Sequence, residues 1–331
     1  MCEIKQNTEM IARCYTFIIF LLLSNFGYSQ TIDSIPKRAA HQIIERFPSA
    51  RTAGVQFEAF DNSDFRTEEF AEDIEGKIYD VKRVKAAANL PVLAIKKKFI
   101  VTLSGTYSQT KGLVDVGDSK SSISTKDLDL KYWSGSVSTT YITSLFNKPT
   151  IFTGSAIGDG DQFDMHRTRG ILTSTVLLKR SATENFSIGL IGIIDKSSRV
   201  PVIPMVAYER HITGSPWTIA LFFPQKIMLE RRVSENSLLF VGSEIFVDRN
   251  YLALQTDKLN GVYEFSEATI RSGLTYEHRF FSHVYLLFRG GISNPINTRL
   301  VEKNSKSSDY ILTTKRDGSL YFNVGLSYNL F

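Results

Sequence analysis

Cysteine is nearly absent: the chain has two, Cys2 and Cys14, both within its first fourteen residues. Everything after them lacks a thiol, which excludes a disulfide framework, a zinc ribbon, an iron–sulfur site and a thiol nucleophile. After residue 30 no stretch approaches eighteen consecutive apolar residues, so no helix there is apolar enough to cross a bilayer. Charge of one sign is also missing. Lys and Arg number 39 against 34 Asp and Glu, a net charge of +5, which gives no basic footprint from which to argue a nucleic-acid partner. No GxGxxG, Walker loop or His-x-x-x-His spacing occurs, so the sequence supports no nucleotide, cofactor or metal site. Disorder is excluded by what is present: 43% hydrophobic residues against 22% charged, with 23 Phe and 14 Tyr.

The first residues read as an address. Arg13 precedes an apolar run that starts at Tyr15 and includes Phe17 to Leu23, too short to span as a helix. Gly27 and Ser29 follow as small residues two apart. This order of regions predicts a signal peptide over 1–29, cleaved after Ser29 or one residue later, with Met10 as an alternative start. Residues 30–50 read as a lead or a short helix, carrying Ala39, Ile43, Ile44 and Phe47 at apolar spacing.

From residue 51 to 331 the pattern changes to alternation. Phe99, Val101, Leu103, Gly105 and Tyr107 oppose Ile100, Thr102, Ser104 and Thr106. Trp133, Val137 and Tyr141 oppose Ser134, Ser136, Ser138 and Thr140, and Phe322, Val324, Leu326, Tyr328 and Leu330 oppose Tyr321, Asn323, Gly325, Ser327 and Asn329. Successive side chains of a strand point to opposite faces, so each segment has an apolar face and a small or polar one. A soluble sheet also alternates. Here the polar faces are rich in Gly, Ser and Thr, and the apolar faces carry aromatics near their ends, as on the lipid side of a membrane barrel. The fold expected is all-β: an antiparallel up-and-down transmembrane β-barrel over 51–331, of about twelve strands, with ten and fourteen also open. Tight turns are expected at 180–185 and 281–282, and long polar loops at 117–127 and about 293–318. Pro201 and Pro204 fit a strand poorly because proline cannot donate to a ladder, whereas Pro91 and Pro224 are expected at turns.

The signal ending Gly27-Tyr28-Ser29-Gln30, the segment Gly54 to Phe60, Leu90-Pro91-Val92 before a lysine run, and Val202-Ile203-Pro204 carry a resemblance. So do Trp217 to Pro224 and the closing Gly325 to Phe331. With these the chain resembles an uncharacterised family of outer-membrane β-barrel proteins of Gram-negative bacteria. The resemblance implies location and fold over nearly the whole chain after the signal, and no catalytic residues. It implies outer-membrane lipid and the barrel-assembly machinery as partners. The C-terminus resembles the assembly signal, with Phe331 one residue out of the apolar phase.

Chemistry is sparse. Asp159-Gly160-Asp161-Gln162-Phe163-Asp164-Met165-His166 gathers acids near a histidine but lacks the closing Glu of a calcium loop, so a solvated turn is the competing reading. Lys96-Lys97-Lys98 reads as a solvated turn or a contact to lipid phosphates. On the non-apolar phase of the later strands lie Glu209, Lys226, Glu230, Arg232, Arg271, Glu277 and Arg279. In a barrel these face the lumen, because Lys or Arg on the lipid face costs about 2–4 kcal/mol at the midplane. They form either a charge-selective channel or a closed network of pairs. The function expected is an outer-membrane barrel of unknown cargo, a narrow channel or carrier or a structural barrel, and not an enzyme. A barrel-borne surface enzyme and a secreted soluble β-protein are the alternatives.

Overall fold

The computed structural model describes residues 50–331 apart from 69–73, 97, 119–123, 196, 199, 256–258, 304, 307 and 331. The signal segment, both cysteines, residues 30–49, Lys97 and Phe331 lie outside the described residues. Contacts divide the chain into Met1–His41 and Gln42–Phe331, and every described residue belongs to the second unit.

Sixteen strands make up a single antiparallel sheet. They are β1 (Ala53–Phe60), β2 (Ser63–Glu68), β3 (Ile74–Ile95), β4 (Phe99–Asp118), β5 (Ser124–Leu145), β6 (Lys148–Gly160), β7 (Met165–Arg180) and β8 (Glu184–Ile194). Then come β9 (Val202–His211), β10 (Trp217–Phe223), β11 (Lys226–Ser234), β12 (Ser237–Gln255), β13 (Asn260–Arg279), β14 (Val284–Glu302), β15 (Tyr310–Arg316) and β16 (Ser319–Tyr328). Neighbours in sequence pair in order from β3 to β14, and β1 closes the ring by pairing with both β3 and β16. β2 and β15 pair with each other and continue β1 and β16 beyond short breaks at 61–62 and 317–318. Backbone bonds carry the pairing across both breaks: Asp61 N–H donates to Leu320 O (2.9 Å) and Asp317 N–H to Asp64 O (3.0 Å). Sixteen strands with two continuations leave fourteen staves around the wall, an even number as in single-chain barrels.

Alternation decides which face is inside. The buried side chains among the described residues include twenty-five polar or charged ones and ten apolar ones, while forty large apolar side chains are exposed. A water-soluble domain has the opposite distribution. Leu103, Val137, Leu172, Leu190 and Leu326 point outward, and Glu58, Asp159, Glu209, Arg271 and Asn323 point inward.

Strand number and length differ from the expected dozen of about ten residues each. β3 and β5 have 22 residues, whereas β10 has seven. Of the loop expected at 117–127, residues 117–118 and 124–127 are strand ends of β4 and β5, with Asp115 opposite Thr125, and 119–123 lie outside the described residues. The one expected at 293–318 is the end of β14, a bulge where Thr269 and Ala268 pair with Pro295 and Asn297, and then β15. Polar side chains take the outer face there too, so alternation no longer marks an apolar outer face and those stretches read as loop. The turns at 180–185 and 281–282 lie at the β7–β8 and β13–β14 connections. Phe146 and Asn147 both have positive φ (51° and 60°), the conformation of a two-residue hairpin turn that matches strand twist. Pro91 lies within β3 beside a register shift, not in a turn. Pro204 lies in β9 opposite Leu190, and Pro201 contributes only its carbonyl, to Ile193 N–H (2.7 Å).

Curvature has a local cause on one side. Gly242 pairs with Gly273 and Gly273 with Gly291. A Cβ on Gly273 would sit 2.1 Å from Gly290 O, and one on Gly291 2.0 Å from Ser272 O. The bend therefore requires glycine at these positions. Gly273→Ala is expected to destabilise the barrel by about 1–3 kcal/mol, read as a lower temperature at which the folded, fast-migrating gel band disappears.

Candidate functional site

The inward phase brings charge together at three levels. Nearest the start of β1 and the end of β16, Arg51 Nη2 meets Glu277 Oε1 at 2.6 Å, Nη1 donates to Ser327 Oγ at 2.9 Å, and the guanidinium lies 4.0 Å from the centre of the Tyr285 ring. Arg51 and Glu277 are both buried.

The middle level joins opposite parts of the sequence. Glu58 on β1 accepts from Arg271 on β13 (2.9 Å) and approaches Arg83 and Lys85 on β3 at 3.5 and 3.8 Å. Asp248 on β12 takes Arg83 (2.6 Å), Lys85 (2.9 Å) and Arg271 (3.3 Å). Two carboxylates thus hold three cations across the interior. Thr110 accepts from Arg83 Nε (2.8 Å), Asn323 donates to Glu58 (3.0 Å), and Arg271 lies 4.3 Å from the centre of the Phe246 ring. Arg289–Glu244 and Arg316–Glu267 extend the network at 3.3 and 3.2 Å.

The third level lies toward the opposite end. The Tyr251 hydroxyl donates to Asp159, which also faces Arg169 at 3.3 Å. Arg167 binds Asp195, Glu264 and Ser197, and Arg249 joins Glu264 at 3.2 Å. His166 places Nε2 3.1 Å from Asp161 and Nδ1 3.0 Å from Lys303 Nζ, with its ring centre 4.6 Å from that of Tyr251. Burial raises Asp161, but the Phe163 N–H, His166 and the Asp164 N–H outweigh it and hold this connecting carboxyl below its usual range. Asp195 in the β8–β9 connection is likewise lowered: burial is outweighed by the Ser197 N–H, Arg167 and the Ser197 hydroxyl. The Asp159–His166 run is therefore tied into the interior. No group of three or more His, Cys, Asp or Glu among the described residues is arranged to hold a metal ion.

At this third level the walls meet. β5 and β12 are seven staves apart in either direction, yet their backbones come within 8 Å, with the Tyr132 and Tyr251 rings 6.5 Å apart. Fourteen strands spaced at roughly 4.8 Å and tilted would enclose a round section about 25 Å across. The barrel is thus pinched along a diameter.

Of the seven charged residues singled out from sequence, Glu209, Lys226, Arg271 and Glu277 are buried and inward. Asn185 donates to Glu209 (2.8 Å), and Lys226 Nζ lies 5.5 Å from the centre of the Phe222 ring. Glu230 is half-buried on the same phase of β11. Arg232 and Arg279 sit at the rim that holds the start of β1 and the end of β16, bonded to Glu235 O (3.4 Å) and Asn236 Oδ1 (2.9 Å). Only Arg271 belongs to the middle network. Sequence reasoning passed over Glu58, Arg83, Lys85 and Asp248. Their signal was available: Glu58 lies between the outward Phe57 and Ala59, and Asp248 follows the outward Val247.

A cavity of about 30 Å³ lined by Met228, Phe240, Glu244, Arg271, Arg289 and Tyr321 adjoins the middle network. That is room for water, not for a drug-sized ligand.

No protein-family model matches the chain, and no curated protein matches it. Solved structures similar to it include the transport unit of the autotransporter AIDA-I from Escherichia coli, at 9% identity and a TM-score of 0.38 over 95% of this chain and 97% of that one. An outer membrane channel from Pseudomonas putida F1 is similar at 11% identity and a TM-score of 0.36, over 84% and 95%. The outer membrane protease OmpT from Escherichia coli is similar at 8% identity and a TM-score of 0.33, over 83% and 95%.

Proposed function

We propose that this chain is an outer-membrane β-barrel of a Gram-negative bacterium whose lumen is closed, in the conformation described, by its ion pairs. Its cargo is unknown. One observation carries the membrane reading. Phe99, Tyr141 and Phe152 pair across β4, β5 and β6 on the outer face, and Tyr107 and Trp133 pair eight residues further along β4. Eight residues of tilted strand rise roughly 20 Å, close to the height of the apolar band between two aromatic girdles. Leu103, Val137 and Ala156 fill the space between the rows. Beyond the upper row the outward positions become Gln109, Lys111, Asp127 and Asp129, as suits water. The start of β1 and the end of β16 lie at the other rim, whose connections run 96–98, 146–147, 181–183, 212–216, 235–236 and 280–283; such short turns belong on the periplasmic side.

Non-enzymatic use of the polar interior is supported by its geometry: the acids and bases engage one another rather than converging on an open cleft. Lipid is the solvent of the outer face, and assembly machinery would insert the barrel. Envelope fractionation followed by gels with and without boiling tests the reading. A faster unboiled band in the outer-membrane fraction is expected, and planar bilayers should show little steady conductance. A soluble product without a mobility shift overturns the membrane barrel. A large, stable conductance overturns the closed lumen.

A further inference from the structure

The inner wall is not uniform. On the β12–β14, β1 and β3 side every strand contributes charge to the networks above. On the other side the sequence over 151–157, 171–177, 187–193 and 203–207 contains no charged residue. These stretches are the central parts of β6, β7, β8 and β9, and their inward phase includes Ile157, Ile171, Ile191, Ile193, Ile203 and Met205. The outward phase is fixed by Phe152, Leu172, Leu190 and Val202, all exposed. The inward isoleucines are contiguous: Ile171 pairs with Ile193, and Ile191 with Ile203.

Two features distinguish this wall from a packed core. All six inward side chains are only half-buried, whereas Leu238, Phe240, Tyr285 and Leu287 on the charged side are buried. Apolar surface therefore lines accessible space inside a barrel whose remaining interior is ionic. The neighbouring wall is also low. β10 has seven residues, which after tilting reach roughly 18 Å, short of the apolar band of about 25 Å. Hydrocarbon from the bilayer thus comes to the rim beside this half of the interior.

We propose that the β6–β9 half of the interior binds the hydrocarbon chain of a neutral amphiphile that enters from the membrane over the low β9–β11 wall. This rests on the membrane-barrel reading. The occupant is neutral because a charge placed against this wall would lose its hydration without a partner. Charge returns only at the two ends, with Arg169–Asp159 at one and Asn185–Glu209 at the other. Thr153, Thr173 and Thr175, inward on the same strands, supply hydroxyls for an alcohol or ester head.

Dodecanol is the probe, titrated against the purified barrel in lipid nanodiscs, with the unfolding midpoint read by loss of the fast gel band. A ligand of the folded state raises the midpoint by mass action. Wild-type protein should show a saturable rise. Ile191→Asn sets a polar group in the wall, and Ile203→Phe fills the space while staying apolar. Each should weaken the apparent affinity at least about tenfold. The cationic dodecyltrimethylammonium should bind far more weakly than dodecanol. No rise, an equal rise in wild type and Ile203→Phe, or equal binding of the cationic analogue overturns the proposal. Absence of a heat-modifiable band in the outer membrane is a separate result, which would remove the membrane reading itself.

Discussion

Glu58→Gln is expected to cost the fold about 3–5 kcal/mol, the usual penalty for removing one partner of a buried ion pair, and to raise the conductance of the closed barrel. Glu58 and Asp248 each touch all three cations of the middle level, and Glu58 is the more buried of the two, its side chain 2% exposed against 17%. Arg271, also 2% exposed, would keep a single ion pair, its 3.3 Å contact to Asp248. Arg83 and Lys85 would compete for that same carboxylate. Three cations on one acid repel each other and draw water into the interior between β1, β3, β12 and β13, where the network now fills it. Glutamine retains the shape and can still accept from Asn323, so the loss reports charge rather than packing. The matching control is Glu58→Gln with Arg271→Met. Removing one charge of each sign leaves Asp248 with Arg83 and Lys85, and the double variant should lose clearly less than the sum of the single changes. Denaturant unfolding of the refolded barrel gives the energies, and planar-bilayer recording gives the conductance. A single variant as stable and as silent as wild type would show that the network neither holds nor closes the barrel.

The architecture was legible where water touches only one face of the strand. On β4 from Phe99 to Tyr107 and on β16 from Tyr321 to Tyr328, alternation predicts both the strand and its outward phase, and the structure agrees. It was illegible where the wall rises clear of the band. At Lys111, Asp115, Asp127 and Asp129 polar side chains take the outer face too, so alternation no longer marks an apolar outer face and paired strand resembles loop. The same holds for Thr313 to Arg316 on β15. The breaks at 61–62 and 317–318 then divide two staves into four short runs, which hides the count. For the interior, sequence gives the phase of Arg271 or Glu277 but not its partner. Glu58 and Arg271 are 213 residues apart and meet only because β1 closes the ring between β16 and β3. Arg51 and Glu277, 226 residues apart, meet for the same reason. No local pattern encodes a contact made by ring closure. The pinch at Tyr132 and Tyr251 is equally nonlocal, since it joins strands on opposite sides of the ring.

Adjacent residues on one strand offer the sharpest test of which face meets lipid. Leu103 lies midway between the aromatic rows at Phe99 and Tyr107 and is 44% exposed. Ser104 is its neighbour on the inward phase, opposite Asn89 and Ser136. Leu103→Arg is expected to cost about 2–4 kcal/mol, the penalty for arginine on the lipid face at the bilayer midplane. Ser104→Arg should cost well under that, because an inward arginine keeps access to polar groups and water. The residue inserted is the same, and so is the strand; only the side of the wall differs. Were the outer face in water, the penalty at Leu103 would disappear. Leu103→Arg would then replace an exposed leucine with a hydrated cation, at no more than about 0.5 kcal/mol or with a gain in solubility, while the cost of Ser104→Arg, set by the same interior in both cases, would not change. Denaturant unfolding of both variants refolded into the same phospholipid vesicles decides between these outcomes, and a shift of the charge to Phe99 or Tyr107 should shrink the penalty to about 0–1 kcal/mol. That depth dependence is specific to a bilayer, because no soluble sheet gives an arginine a cost that peaks halfway between two rows of aromatic rings and fades toward both.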